Sequence, residues 1–146
     1  MKLSTILQFT MISITMMLIT SCGDKPVQPS QLPPEVQNFV KQYFQNQAIS
    51  FAQKDLDWFW YKYDVTLADG THIDFDTDNV WDKIESKTSP MPSALIPANI
   101  ATYVNTNFPS ISIVKIDKEH GNYEVELAND LELKFNEQGT LMEMDD

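Results

Sequence analysis

The sequence predicts an α+β fold: two tandem repeats, each one helix plus four strands, in an antiparallel sheet with the helices packed on one face. Three observations predict it. Between residues 32 and 146 the apolar pattern changes twice from helical spacing to strict alternation. The two stretches that show the change read as one script written twice. The chain, 146 residues with 42% apolar content, is long enough for one domain or two small repeats and has a globular composition.

In chain order, the first 21 residues read as a signal peptide rather than fold material. Met1-Lys2 supplies one positive charge, Leu3 to Thr20 is uncharged, and Ser21 precedes Cys22. Thr5, Gln8, Thr10, Ser13, Thr15 and Thr20 dilute the apolar run, which argues against a transmembrane helix. Cys22 is the only cysteine, so no internal disulfide can form. Ile19-Thr20-Ser21-Cys22 resembles the lipobox of bacterial lipoproteins, with Ile19 where Leu is usual. The resemblance implies a covalent lipid on Cys22, cleavage before it, and a bacterial cell-envelope location. At roughly 0.8 kcal/mol per buried CH₂, two or more acyl chains anchor firmly. Residues 22–31, polar and Pro-containing, read as a lipidated tether.

Repeat 1 spans 32–86, a linker 87–94, and repeat 2 95–146. In the first helix Val36, Phe39, Val40, Tyr43 and Phe44 form one apolar stripe; Ile100, Tyr103, Val104 and Phe108 repeat it 64 positions later. Pro33, Pro34 and Pro97 suit a helix start, and Pro109 ends the second helix. Tyr63-Asp64-Val65-Thr66-Leu67 then matches Tyr123-Glu124-Val125-Glu126-Leu127, two alternating strands with one buried face each. Turns at 68–70 and 128–130 lead into strands in which Ile73 and Phe75 match Leu133 and Phe135. Turns at 76–79 and 136–139 precede last strands around 80–85 and 140–144. Earlier strands are expected around 48–53 and 112–118. Ile111/Ile113 and Val114/Ile116 there have opposite parity, which predicts a bulge. Neither half is large enough to bury its own core, so 32–146 is expected to fold as one domain.

The Pro-helix, the Tyr-x-Val-x-Leu strand, the turn and the apolar-x-Phe strand, given twice behind a lipobox, resemble the PepSY-like exported proteins. Their fold is related to the beta-lactamase inhibitor protein. The resemblance implies tandem helix-plus-four-strand units with a concave sheet surface and regulation or inhibition of peptidases. It carries no catalytic residue over to this chain.

With ten lysines, no arginine, 21 acids and net charge −11, the chain repels phosphate backbones, and nucleic-acid binding drops out. His72 and His120 are the only imidazoles, and neither has a nucleophile or ligand partner nearby in sequence; no enzyme is expected. The run Trp58 to Tyr63 is the candidate binding element. Taken as one strand with Tyr63, Val65 and Leu67 inward, it puts Phe59 and Tyr61 in the core. Trp58 and Trp60 then face outward with Asp64, and His72, Asp74 and Asp76 join them on a mixed aromatic and acidic face. Such a face suits a protein partner, while the lipid on Cys22 engages the membrane. No cofactor is expected. The alternative is calcium, since residues 74–85 read as a twelve-residue loop with Asp74, Asp76, Asp78 and Glu85 as oxygen ligands.

Overall fold

The computed structural model describes residues 23–145; the signal-peptide and Cys22 readings lie outside them. The elements are β1 (Lys25–Pro26), α1 (Pro34–Tyr43), β2 (Ile49–Asp57), β3 (Trp60–Leu67), β4 (His72–Phe75) and β5 (Trp81–Glu85). Then follow α2 (Ala98–Asn107), β6 (Ile113–Glu119), β7 (Asn122–Leu127), β8 (Glu132–Phe135) and β9 (Leu141–Asp145). The nine strands form one open sheet in strict chain order. Every neighbouring pair is antiparallel. Among the described residues no helix is long and apolar enough to cross a membrane.

Each helix has a proline at its N-cap, Pro33 (φ −52) and Pro97 (φ −54), and α1 also opens on Pro34, whose preset φ fits the first turn. Both end on a phenylalanine whose N–H still reaches the last turn, Phe44 to the Val40 carbonyl and Phe108 to that of Val104, each at 2.8 Å. The stripe residues Val36, Val40, Ile100 and Val104 are buried together with Val65, Leu67, Ile73, Phe75 and their counterparts Val125, Leu127, Leu133 and Phe135. Phe39 of α1 meets Phe75 edge-on at 5.4 Å, and Tyr103 of α2 meets Phe135 at 5.5 Å.

The two halves join through β5 and β6, where Ile84 opposes Ile116. The side chains on this side of the sheet form one continuous core with both helices. The expected bulge is present in β6 between Ile113 and Lys115, with a matching one in β2 between Ile49 and Phe51. Asp82 is the extra residue of another bulge, between β4 and β5.

Two expectations need correction. The strand expected around 48–53 runs on to Asp57, and Trp58-Phe59 is the turn of a hairpin rather than strand interior. The segment read as a tether is docked: Lys25 and Pro26 pair with Lys54 and Gln53, Pro29–Gln31 forms a 3-10 turn, and Leu32 is buried. Polar composition suggested a free linker, but the unpaired edge of β2 offers backbone groups that even a proline-containing strand can satisfy on one side.

Candidate functional site

Alternation along the strands puts one set of side chains into the core and the other onto a face that no helix covers. The register aligns the outward residues in rows. One row runs Gln53, Asp64, Asp74, Lys83, Asp117, Glu124, Lys134 and Glu143; the next runs Thr66, His72, Glu85, Lys115, Glu126, Glu132 and Asp145. These rows hold nine carboxylates against three lysines and one imidazole. Each lysine stands beside an acid: Lys115 Nζ lies 2.8 Å from Glu124, and Lys134 Nζ lies 3.0 Å from Glu143. The remaining acids leave the face net negative.

The structure brings Asp64, His72 and Asp74 together, on adjoining β3 and β4. Gln53 donates to Asp64 at 2.8 Å, and His72 Nε2 lies 2.8 Å from Asp74 Oδ1. Asp76 sits in the following turn, where its Oδ1 accepts the N–H groups of Asp78 and Val80, both at 2.9 Å. The acids of the proposed twelve-residue loop are therefore spread over a strand, a turn and the opposing strand. Among the described residues no group of three or more His, Cys, Asp or Glu side chains is placed to hold a metal ion. His120, the other imidazole, occupies the turn between β6 and β7 at φ 51 and is exposed.

Asp82 lies within the 74–85 segment but outside the ligand set proposed from the sequence. Its bulge position turns a half-buried carboxylate toward its neighbours, and its Oδ1 has no hydrogen-bond partner. Burial, then the Asp74, Asp76 and Asp117 carboxylates, push Asp82 above the ordinary carboxylate value of 3.8. The proton is thus held more tightly in the folded chain. The stability this confers is full below that ordinary value and is lost as pH rises through the higher folded one. His72 is also raised, chiefly by its hydrogen bond to Asp74. Its contribution is full below 6.5 and is lost above its folded value. Both groups act in one direction, so the melting temperature should be higher at about pH 5 than at about pH 8. Asp82→Asn should raise it at neutral pH and flatten the profile. A wild-type protein that melts higher at the alkaline end would contradict this.

The second feature is the β2–β3 hairpin. Asp55, Leu56 and Asp57 oppose Lys62, Tyr61 and Trp60. Neither β1 nor β4 reaches these residues, so the hairpin projects as a two-stranded ribbon. Leu56 is 54% exposed, Trp58 86%, Phe59 84%, Trp60 68% and Tyr61 43%. Trp58 and Trp60 are outside the core as expected. Phe59 and Tyr61 are outside it too, against expectation: parity does put Tyr61 on the helix side, but the ribbon has already passed beyond the helices. Lys54 Nζ lies 4.3 Å from the centroid of the Tyr61 ring. Tyr61→Ala and Trp60→Ala should each therefore change stability by only about 0.5 kcal/mol, read from urea melts. A loss several times larger for either would put its ring back in the core.

The described residues thus form a helix-backed antiparallel sheet with one open, charged face and a projecting apolar hairpin. The family model described as "Putative beta-lactamase-inhibitor-like, PepSY-like" matches residues 17–56 and 61–143. The chain belongs to this PepSY-like family. Three solved structures resemble it closely. A "putative calcium-regulated periplasmic protein" from Bacteroides thetaiotaomicron is 36% identical with a TM-score of 0.79, covering 84% of this chain and 97% of that one. A periplasmic protein from Bacteroides vulgatus gives the same four values. A second B. vulgatus periplasmic protein is 29% identical at TM-score 0.79, covering 85% and 100%. No functionally curated protein matches the chain.

Proposed function

We propose that this protein is a lipid-anchored binding module of the cell envelope, attached through Cys22 and presenting its open sheet face to a protein partner. The observation that carries the reading is the charge of that face. Nine carboxylates on an uncovered sheet face create a field that steers and selects a basic surface. The periplasmic relatives support the location. The inhibitor-like family description supports an exported enzyme, such as a peptidase, as the partner class.

We also read the two halves as copies of one helix-plus-four-strand unit. Their bulges and their helix-to-strand aromatic contacts fall at matching places.

The test is crosslinking capture from intact envelopes with the lipidated chain. A captured basic protein should be lost in high salt and in the charge reversals Asp64→Lys and Glu124→Lys. Capture indifferent to both would remove the acidic face from the function.

Calcium is the second reading. One observation favours it: Asp74, Asp76 and Asp117 crowd Asp82, whose Oδ1 has no hydrogen-bond partner. Lys118 counters it, because its Nζ stands over the Trp81 ring at 3.3 Å and it feels the charges of Asp76 and Asp82. With one cation already there, micromolar calcium is expected to leave the melting temperature unchanged. A rise that Asp76→Asn abolishes would favour calcium.

A further inference from the structure

We propose that the β2–β3 hairpin tip is a membrane-contact device that seats Trp58, Phe59 and Trp60 in the headgroup–acyl boundary of a phospholipid bilayer. It rests on the anchor reading only for the bilayer being at hand.

The shape of the apolar patch selects the occupant. Leu56 and Tyr61 form an opposed pair on one face of the ribbon, Trp60 lies on the other face, and Trp58-Phe59 closes the end. A protein groove would cover one face. A ribbon that is apolar on both faces and at its tip suits a medium that surrounds it. Tryptophan and tyrosine favour the membrane–water boundary, where an aromatic body and a polar N–H or O–H are both accommodated. The apolar stretch is three residue levels long, about 10 Å at strand rise, which matches the roughly 5–10 Å reached by interfacial elements. It ends at the charged pair Asp55 and Lys62. Asp57 is the one charged residue within it.

On the anchor reading, the attachment point is within chain reach of the tip. β1 runs antiparallel to β2, so the chain preceding Lys25 heads toward the tip. Asp24 Oδ2 accepts from Gln53 Nε2 at 3.2 Å. Only Gly23 and Asp24 separate Cys22 from β1. The three residues back from Lys25 to Cys22 span at most about 11 Å, and Trp58 lies four residues past Lys54, about 13 Å away. A lipid on Cys22 and the aromatic tip therefore address one surface.

The tip is also an elaboration of the first half over the second. The offset between the halves is 64 from Ala52 to Ile116 but 60 from Tyr63 to Tyr123, so the first hairpin is four residues longer. The equivalent turn in the second half is His120-Gly121. The family match breaks over 57–60. Trp58 sits at φ 58, a conformation that disfavours bulky residues and ordinarily recruits Gly or Asn.

The experiment uses the full chain purified from membranes. It is reconstituted into phosphatidylethanolamine–phosphatidylglycerol vesicles whose acyl chains are brominated near the headgroup. Tryptophan emission should shift to the blue and lose its larger part to quenching. Trp58→Ser with Trp60→Ser should retain only the emission of Trp81, which packs near Phe39, and that emission should be unquenched. The intact mass of the chain reports separately whether Cys22 carries lipid. A lipidated, vesicle-bound chain with unquenched Trp58 and Trp60 overturns the tip proposal and leaves the anchor. An unlipidated chain that still binds vesicles and is quenched keeps the tip and overturns the anchor. A photo-crosslinker at Phe59 that labels a protein instead of lipid also overturns the tip proposal.

Discussion

Replacing Phe75 by Ala is expected to cost about 3–5 kcal/mol of stability, the ordinary range for a buried aromatic. Phe75 is fully enclosed. It lies on β4 between Tyr63 of β3 and Trp81 of β5 and takes the edge of Phe39 from α1. Truncation removes the ring's transfer energy, leaves a cavity, and strips α1 of its aromatic contact with the sheet. Because α1 cannot follow the ring inward while β3 and β5 hold their register, the cavity should persist. Urea unfolding should show a lower midpoint at an unchanged slope. The same substitution at Phe135, whose contact with Tyr103 repeats the arrangement, should cost a similar amount. If Phe75→Ala loses less than about 1 kcal/mol, the helix and sheet are not packed through this contact.

Cys22→Ser should abolish stable membrane anchoring or leave the signal peptide uncleaved. The hydroxyl cannot form the thioether that the lipobox resemblance implies, and no other cysteine can substitute. Without acyl chains the remaining attraction is the aromatic tip, which should give weak, reversible binding rather than stable anchoring. Fractionation of cells expressing the variant, with the mass of the chain, checks this. Normal processing with full membrane retention would sink the lipoprotein reading.

Two physical periodicities made most of the fold legible in the sequence. Val36, Phe39 and Val40 fall on one side of a helix because its turn brings i, i+3 and i+4 together. Tyr63, Val65 and Leu67 share a face because a strand alternates. Both constraints are local, so neighbouring residues are enough to read them. The PepSY-like resemblance rested on this same pattern, which is why it spoke to architecture and far less to chemistry. The acidity of the chain was equally plain, and with it the expectation that the partner is not a nucleic acid.

Other features depended on where strands stop and on what lies across from them. The run from Trp58 to Tyr63 is continuous and aromatic, and nothing within it says that Trp58 would accept positive φ and turn the chain. That assignment follows only once Leu56 is seen opposite Tyr61. Nothing local singled out Asp82 among the acids of 74–85; the bulge at β4–β5 crowds it against carboxylates from Asp74 and Asp117, which are distant in sequence or set by register. The docking of Lys25 and Pro26 was hidden for the same reason, because the partner edge lies nearly thirty residues away. By itself the sequence determined the helices, the alternation of the strands, the charge and the lone cysteine, all properties of residues and their near neighbours. Only the tertiary structure decided which acids face one another and that the aromatic run leaves the core, because both depend on long-range register and on where the covering layer ends.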